Sequence, residues 1–243
     1  MEGKRLLSCW RLWLSSVLLL IACASAFADQ APTASTLSAR LSGSDQRISI
    51  SSTKTVNASG DNGFIVQSTV HGVTKALFLP SIIVQPTATT IVTPTRAVVL
   101  GSMSWATQAF TIFDPTDAKV LGQVFCHSPA LSPDGKIIAF VRFFPIHFVP
   151  VYLQTAVYAV LDLSGDLGEA ITSSRHDVGE VVYPPSPPAK TDADIHEIDG
   201  KIRWLSSTSF TFTDRFHRVA SDVVVTKQGI RWKAAVVSTR KAY

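Results

Sequence analysis

Cysteine is scarce: there are three in 243 residues, and Cys9 and Cys23 lie within the first 23. A disulfide scaffold is excluded, since Cys126 is the only cysteine beyond that segment. Nothing local marks Cys126 as an activated nucleophile, so it reads as a small buried hydrophobe. Glycine, at 13, is too sparse for a collagen-like chain, and no heptad run is sustained enough for a coiled coil. Disorder is excluded as the dominant state by 46% apolar residues. The signatures of several chemistries are also missing. There is no Gly-x-Ser-x-Gly pentad to expose a serine on a strained turn, no glycine-rich phosphate or dinucleotide loop, and no His-Glu-x-x-His. Ser51-Ser52-Thr53-Lys54 matches Ser-x-x-Lys but has no companion motif, so it reads as a chance match.

What is present begins with an export signal. Lys4, Arg5 and Arg11 precede an apolar run over residues 12–22, and Ala26-Phe27-Ala28 fits cleavage before Asp29. Residues 1–28 are therefore expected to be a signal peptide, which places the protein in the periplasm or at the outer membrane of a bacterium. The alternative is Leu20-Ile21-Ala22-Cys23, which resembles the bacterial lipobox and would make Cys23 a lipidated N-terminus. Removing 28 of 243 residues leaves the length of one ordinary domain.

Charge is informative by segment. Residues 201–243 carry nine Lys or Arg against Asp214 and Asp222, whereas residues 29–200 carry ten against fifteen acids. Export disfavours nucleic acid, so the expected reader of this basic end is an acidic envelope protein or an anionic envelope surface.

Residues 29–59 are crowded with Ser, Thr and Ala and read as a tether leading into an edge strand near Ile48-Ser49-Ile50. Residues 60–243 read as one all-β domain. Short β-branched runs fall at 64–70, 76–79, 82–84, 90–93, 96–100, 109–113, 119–125, 136–143, 156–163, 180–183, 195–205, 209–213, 221–226 and 230–238, with turn residues between them. This spacing predicts antiparallel strands in a propeller, a barrel or a sandwich. The uncharged stretch 143–161 is long enough for a membrane span, but Pro145, Pro150 and its strand-forming residues argue against a helix. Phe143, Phe144 and Phe148 are instead expected on a protruding contact loop. Asp199-Gly200 predicts a two-residue hairpin turn that pairs Ile195 with Trp204 and makes Trp204 a core anchor.

The run Ser132-Pro133-Asp134-Gly135-Lys136, followed by Ile137-Ile138-Ala139-Phe140, resembles the blade signature of WD-like β-propellers of the TolB type. Mechanically it is a tight turn. Ser132 and Asp134 hydrogen-bond turn amides, Pro133 fixes φ and Gly135 takes the left-handed position. Segments 109–122 and 157–165 resemble neighbouring blade strands, and 202–212 is a fainter echo. The resemblance is clear over roughly 60 residues; at about 40–45 residues per blade the chain beyond residue 28 has room for four or five blades, of which two to three are visible. Residues 29–100 carry no such signature, which leaves an incomplete propeller or a β-sandwich as the alternatives.

Metal-ligating patterns are weak. Asp192, Asp194 and His196 would share a strand face, yet Glu197 stands where a calcium loop requires Gly, so a solvated hairpin is expected. His176 and Asp177 could meet His71, His127 or His217 only if the fold gathered them. Tyr183 to Pro188 reads as a stiff proline linker. The sequence thus predicts no metal, no cofactor and no assignable catalytic residue. The expected function is a non-enzymatic protein-binding or scaffold module of the cell envelope, with contacts at Phe143, Phe144, Phe148, Arg231, Trp232 and Lys233. The alternative is an exported hydrolase or lyase, which would need groups such as His176, Asp177 and His196 to converge in one pocket.

Overall fold

Alternation of apolar and polar residues produces strands throughout the computed structural model, which describes residues 36–51, 55–80, 85–102, 108–142, 157–167, 178–183, 201–216 and 218–241. The first sheet contains β1 (Thr36–Arg40), β2 (Arg47–Ser51), β3 (Thr55–Val56), β4 (Asn62–Val70) and β5 (Val73–Pro80). Here β1 pairs β2, β2 and β3 pair successive parts of β4, and β5 takes the other edge of β4. The second sheet runs β6 (Gln85–Thr93), β7 (Arg96–Ser102), β8 (Gln108–Asp114), β9 (Lys119–Leu131), β10 (Ile137–Arg142), β11 (Val157–Asp162) and β12 (Glu180–Tyr183) in sequential order. The last sheet is β13 (Arg203–Ser206), β14 (Ser209–Phe216), β15 (Val219–Gln228) and β16 (Arg231–Lys241), again in order. Every pairing is antiparallel.

The middle sheet is two sections in one. Residues 119–126 of β9 pair with β8, and residues 126–131 pair with β10. Cys126 stands at the changeover, opposite Gln108 on one side and Arg142 on the other. The chain is therefore a series of four sections: β1–β5, β6 to the first half of β9, the second half of β9 to β12, and β13–β16. Each junction is filled by one core. Ile48, Ile50, Phe64 and Val66 meet Val99, Ala109 and Phe113 at the first junction. Val98, Phe110, Ile112 and Cys126 meet Ile138, Phe140 and Ala159 at the second. Ile137, Ala139, Tyr158 and Val182 meet Phe210, Phe212, Val223 and Val225 at the third. Because β7, β8 and β10 are covered on both faces, they read as near-continuous apolar runs instead of alternating ones.

A side chain also reaches across each junction to a carbonyl. Gln46 Nε2 donates to Pro94 O at 2.7 Å, Arg96 Nη1 to Leu163 O and Gly165 O at 2.6 Å each, and Trp204 Nε1 to Ala130 O at 2.9 Å. The result is an all-β, propeller-like stack of antiparallel sections. Among the described residues, no strand pairing joins the first section to the last.

The turn expected at Ser132–Lys136 forms as its chemistry requires. Ser132 Oγ donates to Asp134 Oδ1 at 2.6 Å, the Ile137 amide donates to Ser132 Oγ at 2.9 Å, and Gly135 sits at φ +70°. The third strands of the two middle sections end alike. Asp114 accepts the Thr116 amide at 2.7 Å, and Asp162 accepts the Ser164 amide at 2.9 Å, so two equivalent strand ends carry the same aspartate cap.

The strands begin earlier than composition suggests. Residues 36–40 and 55–56, read as tether, supply β1 and β3, and the strand expected at the edge near Ile48-Ser49-Ile50 is β2, which is paired on both sides by β1 and β4. Ile48 and Ile50, 1% and 0% exposed, suffice to anchor them, because a half-buried strand needs apolar residues only at alternate positions. Of the uncharged stretch 143–161, its last five residues lie in β11, while Phe143, Phe144 and Phe148 fall outside the described residues. So do the signal segment with Cys23, the Asp199-Gly200 turn, and Asp192, Asp194, His196, His176, Asp177 and His217.

Candidate functional site: the outer face of the last sheet

Cross-strand register decides which side chains of the last sheet face outward. Phe210 pairs Val225 and Phe212 pairs Val223, and all four are buried against the preceding section. The alternate positions therefore point away from the core. They form rungs of Arg203, Thr211, Val224 and Ala235, then Thr213, Asp222 and Ser238, then Arg215, Ala220 and Arg240, and finally Ser209, Thr226 and Lys233. Arg231 shares the parity of Lys233 on β16. Lys201, Arg203, Thr213, Arg215, Asp222 and Arg240 line a shallow depression of about 630 Å³ on this face. Six of the nine cations of the basic end thus share this face, with Asp222 as the acid among them, whereas Lys227 and Lys241 have the opposite parity.

Asp222 is locked into the sheet. Ser238 Oγ donates to it at 2.7 Å, Arg240 Nη1 at 2.5 Å and Thr213 Oγ1 at 2.8 Å, and these bonds hold its carboxyl down at about 2. With the folded value below the unfolded one, its contribution is whole above about pH 4 and is lost as pH falls towards 2. The expected result is a urea midpoint that falls between pH 5 and pH 2, and falls less steeply in Asp222→Asn. Identical slopes would show that these bonds do not couple to folding.

The three residues expected as one contact patch divide between faces. Arg231 and Lys233 are exposed on the outer face, whereas Trp232 points inward. Trp232 packs at ring-centroid distances of 6.1 Å from Trp204 and 5.8 Å from Phe210, with Lys227 Nζ 5.9 Å from its own ring centroid. The strand's period of two makes this unavoidable, so Trp232 serves the junction and not an exposed aromatic anchor. Trp204 occupies the core-facing position expected of it, beside buried Phe210 at 5.0 Å.

Titratable groups elsewhere serve packing. Cys126 is fully buried, and burial pushes its thiol up. His127, the next residue on β9, points to the opposite face, and burial lowers its pKa, so the two do not form a nucleophile–base pair. Tyr158 stacks on Phe212 at 3.6 Å, and burial first, then Asp214 and Tyr183, raises its pKa. Tyr183 is raised by burial and by Asp214, which accepts its hydroxyl. Asp214 is 6% exposed. Among the described residues, no three His, Cys, Asp or Glu side chains gather in a metal-binding group. The outer face of the first sheet has a comparable depression with Arg40 and Arg47 among Ser38, Ser49, Gln67 and Thr69, a lower density of cations than on the last.

No protein-family model and no curated protein matches the chain. Among solved structures it is similar to Kluyveromyces lactis Hsv2p at 10% identity and a TM-score of 0.37, covering 80% of this chain and 58% of that one. It is also similar to Kluyveromyces marxianus Hsv2 at 9% identity and 0.33, covering 82% and 69%. A puromycin-hydrolysing peptidase of Mycobacterium tuberculosis matches at 13% and 0.36, covering 86% and 33%. The chain spans a little over half the length of the K. lactis protein. At these scores the likeness decides nothing about the site.

Proposed function

We propose that this chain is an exported, non-enzymatic binding module of the bacterial cell envelope, which docks an acidic partner protein on the basic outer face of its last sheet. One observation carries the reading: Arg203, Arg215, Arg231, Lys233 and Arg240 share a face held by three strand pairings, with Lys201 lining the same depression and Asp222 among them already bonded. Such a field steers an acidic partner and fixes its orientation. In this reading residues 1–28 are removed on export, or Cys23 carries a lipid tether.

The test is cross-linked capture from detergent-solubilised envelope, comparing the wild-type chain with Arg231→Glu/Lys233→Glu. One dominant acidic protein should be recovered, and the variant should lose it by more than roughly tenfold, because like-charge juxtaposition is strongly unfavourable. Recovery should also fall as salt rises from about 0.1 M to 1 M, over which the screening length shrinks from roughly 10 Å to 3 Å. Equal capture by both chains, insensitive to salt, would overturn the proposal.

A further inference from the structure

We propose that β16 is itself the docking edge, and that an extended acidic segment of the partner adds to it as a fifth strand; this rests on the binding-module reading above. β16 is 11 residues long, ends the strand order of its sheet and pairs only β15 among the described residues. An edge of this length presents a row of backbone donors and acceptors to another chain. From Ala235 onward the strand is exposed, with Val236 at 51% and Val237 at 61%. An added strand would cover these valines.

The charge requirement comes from the same strand. The Trp232 amide donates to Glu180 Oε1 at 3.3 Å, so a carboxylate from β12 already sits on this edge, in the stretch flanked by the cations Arg231 and Lys233. Arg240 and Lys241 mark the other end. A second copy of this chain is a poor occupant. Antiparallel self-pairing centred on Val236 sets Arg231 opposite Lys241 at both ends, and parallel self-pairing in register sets each cation against itself. Like charges directly opposite destabilise a sheet, whereas Asp or Glu at those positions would stabilise it.

Backbone alternation makes the mode testable. The Ala234 amide lies two residues beyond that of Trp232 and so points to the same edge, away from β15, and Ala234→Pro removes it without taking a bond from the β15 ladder. The probe is a ten-residue peptide of alternating Glu and Val, with a Lys–Val peptide as control. In the wild-type protein the Glu–Val peptide should bind and slow hydrogen exchange of the Ala234 amide by roughly tenfold or more, while the Lys–Val peptide does neither. Ala234→Pro, shown to be folded by its thermal transition, should bind at least roughly tenfold more weakly. Binding that leaves Ala234 exchange unchanged and survives Ala234→Pro, but is lost in Arg231→Glu/Lys233→Glu, would overturn strand addition and leave the charged face as the docking surface. Absence of peptide binding to the wild type would overturn strand addition outright. Binding indifferent to both variants would count against both proposals.

Discussion

Replacing Phe140 with Ala should lower the unfolding free energy by about 3–5 kcal/mol, the cost of truncating a fully buried aromatic. Phe140 is 0% exposed at the second junction, and its ring meets that of Phe110 edge-on at a centroid distance of 5.2 Å. Strands stiffened by pairing on both sides leave the neighbours little freedom to collapse into the space, which places the cost towards the upper end of that range. Val73→Ala, at a position 62% exposed, should change stability by less than about 0.5 kcal/mol. Urea unfolding of both variants decides the matter. A loss below about 1 kcal/mol for Phe140→Ala would mean that the second junction does not carry the fold.

Gly179→Ala should be comparably damaging for a different reason. Gly179 sits at φ +84° just before β12, and a Cβ there would lie 2.7 Å from the carbonyl oxygen of Val160 and 3.4 Å from Phe140 Cζ. Neither the β11 backbone nor the buried ring can step aside. Arg142 pins the same segment, because its Nε donates to Val178 O at 2.7 Å and its Nη2 to Gly179 O. Left-handed strain of about 1–2 kcal/mol adds to an overpacking cost of about 1–3 kcal/mol. Gly72→Ala isolates the first contribution, since Gly72 has φ +76° with open space around it. Thermal melts should show Gly179→Ala losing clearly more than Gly72→Ala. Equal losses would show that the contact with β11 relaxes freely.

Strand positions were largely legible in the sequence because turn chemistry is local. The Ser132–Lys136 turn depends on atoms a few residues apart, and its hydrogen bonds are those expected of its side chains. Cys126 was legible as a core residue, since nothing near it offered activation. The early strands were legible only at Ile48-Ser49-Ile50, because Ser and Thr dominate residues 36–51 and the decisive fact, that Ile48 and Ile50 find Phe64, Val66 and Phe113, is a long-range one. The split of Arg231 and Lys233 from Trp232 follows from strand periodicity. Which face is covered, however, depends on Phe210 and Trp204 arriving from other strands. The pinning of residues 178–179 by Arg142 joins positions 36 and 37 apart, a pairing that single-sequence patterns do not carry.

The strand β9, bonded to β8 through one half and to β10 through the other, limits how this chain can be dissected. A cut within residues 119–131 would strip a ladder from both middle sections at once. Among the described residues, no ladder joins one sheet to the next. A fragment that keeps either middle section whole must therefore keep β9 uncut, and one cut from its flanking sheets would expose Val99 and Phe113 at one junction and Ile137 and Tyr158 at the other.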